Sequence, residues 1–231
     1  MCFTQGDEIR DYVFPLVEVE GSDVKRFLGT AFLIGNRGVG LTAAHVLRDS
    51  DDEQVVGLFV DRRTWFPVGV LNWEIHPVED VAALRLEGTE WNSFMCLSNS
   101  SEGQSFHYRS FGYPVDAMYD LSRNGYAARR PDLVYSEGYV RRRLSCFLPG
   151  LVGTSFYELS AVAGSGCSGS PILKFVQPVW PVVGIYVGER RNEDGVEVGY
   201  ATREESFRDW APDIVGKRLL DESHSSSISF H

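Results

Sequence analysis

Short runs rich in valine, leucine and phenylalanine follow one another along this sequence, and glycine, proline, asparagine or aspartate cuts nearly every one before it reaches helical length. Such punctuation favours strands joined by turns and leaves little room for helices. From residue 12, YVFPLVEVE alternates, GSDVKR turns, and FLGTAFLIG runs into the turn Asn36-Arg37-Gly38. VGLTAAHVL, an acidic loop DSDDE, VVGLFVD, WFPVGVLNWEI, HPVED and VAALRLEG follow. About six strands therefore precede residue 90, enough for one small antiparallel barrel. Residues 91–105 read as a connector. A second six-strand pattern begins with FHYRSFGYP, passes a long loop over 115–132, and continues through LVYSEGYVRR to VEVGYATR. Two subdomains are expected, 1–100 and 101–231. The stretch Glu204–Leu220 carries apolar residues at Phe207, Ala211, Ile214, Val215 and Leu219, a spacing that predicts an amphipathic closing helix before a polar tail.

The chain has 231 residues, 43% of them hydrophobic and 23% charged, enough for a sizeable core. Its net charge of −10 argues against a protein that tracks a nucleic-acid backbone, which needs basic surface. Local basic runs at Arg129-Arg130 and Arg141-Arg142-Arg143 read as solvated strand or loop charge, or as sites for an acidic partner or for regulation. Cys2, Cys96, Cys146 and Cys167 lie far apart with neither a CxxC pair nor metal-ligand spacing, so no metal or cofactor is expected. The N-terminal MCFTQGDEIRDYVF lacks the basic start and apolar run of a signal peptide, and no stretch approaches 18 apolar residues. The expectation is a soluble cytoplasmic protein with reduced thiols and no membrane partner.

Acyl transfer at neutral pH needs a weak nucleophile made strong, a base, a group that fixes the base, and donors aimed at the oxyanion. The sequence holds a candidate for each. Ser168 lies in Gly164-Ser-Gly-Cys-Ser-Gly-Ser-Pro171, where glycines at 164, 166 and 169 permit a tight turn. Such a turn can aim the N–H groups of Gly166 and Ser168 at one spot. His45 lies in LTAAHV between small residues, which suits an imidazole exposed at a strand end. Asp80 immediately precedes the apolar run VAALRL. Each alone is commonplace: a glycine-serine loop, a lone histidine, a turn aspartate.

Together, TAAHV, DVAALRL and GCSGSP, with FLGTAFLI ahead of the histidine, resemble the chymotrypsin/trypsin family in content and in the order His, Asp, Ser. That resemblance implies an all-β fold of two six-stranded antiparallel barrels with a C-terminal helix and a site in the cleft between them. It implies His45, Asp80 and Ser168 as catalytic residues, with the N–H groups of Gly166 and Ser168 as the oxyanion hole. The implied activity is that of a serine endopeptidase on polypeptide substrates, acting through an acyl-enzyme. Two departures matter. Cys167 stands where the family has Asp or Asn, and no Ile-Val-Gly-Gly start is present, so zymogen-type activation is not expected. In this the chain looks more like the bacterial HtrA-type and other cytoplasmic trypsin-like peptidases, but no PDZ domain follows, so HtrA-style regulation is not implied; control by a partner protein or a conformational change is expected instead. Cys167 is also a rival nucleophile, disfavoured by the register of Gly169-Ser170-Pro171.

In the family resembled, the residue six before the nucleophile often sits at the base of the primary pocket; here it is Val162, neutral, which disfavours strict Arg/Lys specificity, and the resemblance implies Val187, Gly188, Glu189 and Tyr200 as the other pocket residues. The expected preference is for small or apolar side chains. His76 and His107 read as structural, and the 115–132 loop, with Tyr119, Tyr126 and Arg129-Arg130, as a candidate lid. Competing readings are a catalytically silent interaction module on the same fold, which loss of triad residues would favour, and an esterase using the same triad.

Overall fold

A computed structural model describes residues 8–225, apart from 22, 51–53, 62–63, 104, 124–125, 176–180 and 192–194. Its strands close into two six-stranded antiparallel barrels, so the fold is the all-β double barrel. The first holds β1 (Val13–Glu20), β2 (Asp23–Ile34), β3 (Val39–Thr42), β4 (Val55–Asp61), β5 (Thr64–Ile75) and β6 (Ala82–Leu86) in the order β1-β2-β3-β6-β5-β4. The second is drawn from β7 (His107–Gly112), β10 (Val134–Ser145), β11 (Ser155–Leu159), β12 (Pro171–Lys174), β13 (Val182–Arg191) and β14 (Glu197–Arg203), ordered β10-β11-β14-β13-β12-β7. Closure leaves neither barrel an open edge.

Residues 13–17 of β1 are buried on both faces. Phe14 fills the first barrel, stacked on Phe59 at 4.6 Å, and a Cβ on Gly57 would stand 2.8 Å from its ring. Leaving glycine there makes room for the phenylalanine. The second barrel is filled with tyrosines: Tyr108, Tyr157 and Tyr186 pack with Val140, Leu159, Ile172 and Cys167. Each phenol finds an acceptor, Ala161 O for Tyr108, Glu102 O for Tyr157 and a Glu189 carboxylate oxygen for Tyr186. That is the condition on which a core tolerates tyrosine.

Two expectations need correction. The 115–132 stretch is not an open loop: after a 3-10 turn it forms a hairpin, β8 (Met118–Arg123) paired with β9 (Tyr126–Pro131). The side chains of Tyr119, Tyr126, Arg129 and Arg130, on which the lid idea leaned, lie outside the described residues. Nor does Glu204–Leu220 form one helix. A 3-10 turn (Glu204–Ser206) gives way to turns, and helix α2 spans only Leu219–Ser223. Pro212 lacks an N–H and Gly216 takes φ +74°, so the helical ladder cannot cross that stretch, although Phe207, Val215 and Leu219 are buried as their spacing suggested.

Candidate active site

His45 stands in the one-turn helix α1 (Ala44–Leu47), just past β3. The flanking Ala43, Ala44, Val46 and Leu47 are buried, so the turn is pressed to the core while the imidazole keeps 39% of its surface. β3 pairs with β6 in a register that sets Thr42 opposite Ala82. His45 lies three residues beyond that pair and Asp80 two before it, so both emerge at the same barrel end. Asp80 holds His45 twice. Its Oδ1 accepts the His45 backbone N–H at 2.9 Å, and its Oδ2 lies 2.7 Å from Nδ1. A carboxylate only accepts, so Nδ1 carries the proton and Nε2 presents a lone pair. The Asp80 side chain is 4% exposed, which keeps water from competing for that bond.

The turn that presents Asp80 is itself held by His76, whose Nδ1 accepts the N–H groups of Val78 and Glu79 at 3.2 and 2.9 Å. Burial lowers the His76 pKa, with Glu79 opposing, and the ring lies edge-on to Trp210 at 5.0 Å. His76 is thus a neutral structural acceptor, as its sequence setting suggested. His107 likewise sits on the barrel surface, 3.4 Å from Glu137 and edge-on to Tyr139.

Ser168 sits in a tight turn in which Cys167 N–H donates to Gly164 O at 3.2 Å and Ser170 N–H to Cys167 O at 2.9 Å. Gly166 and Gly169 have φ of +94° and +93°. A Cβ at Gly169 would overlap Thr30 O and Thr42 Oγ1, and one at Gly166 would stand 2.7 Å from Tyr113 O. Glycine is required at both positions by dihedral and by space. Among the described residues, neither the Gly166 nor the Ser168 N–H donates to a protein acceptor. Both remain available to an anion, which is what an oxyanion hole needs.

One residue that sequence reading passed over joins this turn to the first barrel. Thr30 N–H donates to Ser168 O at 2.9 Å, Thr30 Oγ1 donates to Gly166 O and accepts Tyr113 N–H, both at 3.0 Å, and Thr30 O accepts from Thr42 Oγ1 at 2.7 Å. Next to it, the point where a Gly29 Cβ would sit lies 2.8 Å from the Val46 side chain and 2.9 Å from Ser168 O. The bare glycine lets the histidine turn and the serine turn close on one another. Thr30 stands within FLGTAFLI, but its hydroxyl contacts are 83 and 136 residues away in sequence, beyond any local signal. Among the described residues, no hydrogen bond joins Ser168 Oγ to His45. Glu79 adds a further tie between barrels, its Oε2 accepting Thr154 N–H at 3.2 Å.

Cys167 points away from this surface into the tyrosine core, and burial pushes its thiol up to about 12, with Asp116 and Glu189 adding to the rise. A thiol so far from ionisation is no nucleophile at neutral pH. Of the expected pocket residues, Val162 is half-buried, Val187 is buried, Gly188 takes φ +137° and Glu189 is exposed. Tyr200 sits on the other side of β14, edge-on to Phe156, while its neighbours Gly199 and Ala201 face Tyr186. The basic run Arg141-Arg142-Arg143 is taken up along β10: Arg141 and Arg142 pair with buried Glu158, and Arg143 with Glu205. Among the described residues no cluster of His, Cys, Asp and Glu could hold a metal ion. No helix is long and apolar enough to cross a membrane among them.

Comparison with known proteins agrees with this fold. The family model of the trypsin-like peptidase domain matches residues 29–185. No curated protein matches the chain in sequence. Among solved structures, the apo protease domain of MamO from Magnetospirillum magneticum is similar in fold: TM-score 0.58 and 15% identity, over 86% of this chain and 94% of that one.

Proposed function

The chain belongs to the trypsin-like peptidase family, and from that premise we propose that it is a serine endopeptidase with Ser168 as nucleophile, His45 as base and Asp80 as its orienter. The observation that carries this reading is the double hold of a buried Asp80 on His45, with Nε2 left free as an acceptor. Nothing in packing alone calls for an imidazole at a cleft wall with one nitrogen fixed and the other open.

In the proposed reaction the Ser168 hydroxyl attacks the scissile carbonyl carbon as its proton passes to His45 Nε2. The carbonyl oxygen takes the negative charge and is met by the N–H groups of Gly166 and Ser168. His45 then returns the proton to the departing amine as the C–N bond breaks, leaving an ester on Ser168. Water, deprotonated by the same nitrogen, releases the acid and restores the hydroxyl. Asp80 stays ionised and stabilises the imidazolium at each stage.

Among the described residues no hydrogen bond joins Ser168 Oγ to His45, so a polypeptide substrate or a regulatory protein partner that tightens the pair would raise activity. The test is intact-mass labelling with a fluorophosphonate that has no side chain, on wild type, Ser168→Ala and His45→Ala, beside a peptide-hydrolysis assay. One adduct on wild type and none on either variant is the expected result. A folded wild type that stays unlabelled and inert would favour the silent interaction module instead.

A further inference from the structure

Tyr186 is a buried phenol that the proposed chemistry leaves unused, yet its backbone is tied directly to the serine turn. Gly169 N–H donates to Tyr186 O at 2.8 Å, and Tyr186 N–H donates to Ser170 O at 2.9 Å. β13 therefore runs hard against the turn that carries Ser168. In the pocket that the family resemblance implies, a peptide whose scissile carbonyl carbon meets Ser168 Oγ, with its oxygen toward Gly166 and Ser168 N–H, has its acyl-side side chain directed between two segments. One is the chain entering the turn, 161–165; the other is the chain leaving Tyr186, 187–189.

The Tyr186 side chain already spans that gap. Its hydroxyl accepts the Ala163 N–H at 3.3 Å from one wall and donates to Glu189 Oε2 at 2.9 Å on the other. Its ring lies along β14: a Cβ on Gly199 would stand 3.2 Å from Tyr186 Cε2 and 2.8 Å from Ala161 O. The residue is 1% exposed and packs with Cys167, Ile172 and Ala201, which hold the ring in place. Burial, and then the Glu189 carboxylate, push its pKa far above the ordinary tyrosine range, so the hydroxyl keeps its proton and its bond to Glu189. That bond in turn commits one Glu189 oxygen to the protein. Above the phenol, at Gly188, a Cβ would meet nothing within 4 Å.

From these contacts, and resting on the endopeptidase reading, we infer that Tyr186 is a specificity-determining residue: its phenol closes the pocket beside Ser168 and restricts the residue on the acyl side of the cleaved bond to glycine, alanine or serine. Val162, the expected floor, is then shielded from substrate, and Glu189 offers at most a rim contact.

Peptidyl diphenyl phosphonates test this, because Ser168 Oγ bonds to phosphorus as phenoxide leaves and the probe carries a chosen side chain beside the phosphorus. Two probes differing only in a methyl or a benzyl group there are compared by rate of intact-mass labelling, with the fluorophosphonate lacking a side chain as reference. A single misplaced methylene costs a pocket about 10–200-fold, so wild type should react at least about 100-fold faster with the methyl probe. Tyr186→Val should bring the two rates within about 10-fold of each other by admitting the benzyl group. Tyr186→Phe, which keeps the ring, should preserve the wild-type ranking. Equal rates for both probes on a wild type that the reference probe labels would overturn the inference and leave the endopeptidase reading standing. So would a Tyr186→Val protein that the reference probe labels but that still excludes benzyl. A wild type that the reference probe does not label overturns the endopeptidase reading and this inference with it.

Discussion

Asp80 binds the backbone N–H of His45 with one oxygen and its ring with the other, so one side chain sets both where the histidine turn sits and which nitrogen is free. In Asp80→Asn the Oδ1 contact survives, but the amide can donate to the ring and favour the wrong tautomer. Peptide hydrolysis should fall by about 10⁴-fold in kcat with little change in the circular dichroism spectrum. At Cys167 the opposite pattern is expected. Cys167→Ala should leave fluorophosphonate labelling of Ser168 in place while lowering stability by about 1–2 kcal/mol through the void left among the tyrosines, read from urea denaturation. Iodoacetamide should alkylate exposed Cys146 well before buried Cys167 in the native protein, followed by peptide mass mapping.

Among the elements, the contact of β2 with the serine turn is the one on which catalysis should depend most. Thr30→Val keeps the shape but leaves Tyr113 N–H and Gly166 O without their partner, at about 1–3 kcal/mol for each orphaned group. Labelling of Ser168 should slow by up to about 100-fold as the Gly166 N–H loses its aim, while Thr30→Ser should label normally. Strands proved more legible than what joins them. All six strands of the first barrel could be read as short apolar runs cut by turn residues, although β1 and β3 are buried on both faces and their exposure does not alternate. The hairpin Met118–Pro131 could not, since its polar, arginine-containing segments show no apolar stripe. The closing helix was over-read: apolar spacing at Phe207, Val215 and Leu219 reports burial of those side chains, whereas helix formation also needs an unbroken ladder through Pro212 and Gly216.

At the scale of the molecule, charges buried near the C-terminus make stability depend on pH in opposite directions. Glu204 is fully buried with neither oxygen hydrogen-bonded to another described residue, Arg208 Nη1 being 3.8 Å away, and burial raises its pKa to about 8, opposed by its own backbone N–H and by Arg208 and assisted by Glu205. The folded chain binds this proton more tightly than the unfolded one, so its stabilising share is whole below the ordinary carboxylate range and is lost as pH rises toward 8. Glu204→Gln should therefore raise the Tm at pH 8 more than at pH 5 in parallel thermal melts. Glu222 behaves the other way. Burial alone would raise its pKa, but Arg37 and Lys217, at 2.6 and 3.0 Å, win and hold it below the usual range. Its contribution is present at neutral pH and is lost as pH falls through the carboxylate range. Since Arg37 belongs to the first barrel and Glu222 to α2, Glu222→Gln should loosen the C-terminal segment, seen as faster amide exchange over 219–225 at pH 7 that converges with wild type at pH 3.

The chain's residue types and their order alone determined the all-β double barrel and nominated His45, Asp80 and Ser168, because strand alternation, turn glycines and short motifs are local and each is complete within about ten residues. Tertiary structure alone decided what closes the gap beside the serine and what ties the two barrels at that point. Tyr186 reads in sequence as one more apolar strand residue, and Thr30 as one more strand threonine. Only barrel closure carries the phenol across to Ala163, and only the docking of one barrel on the other sets the Thr30 hydroxyl between Gly166 and Tyr113. Such contacts depend on register and rotamer summed over the whole chain, and no short window of residues encodes them.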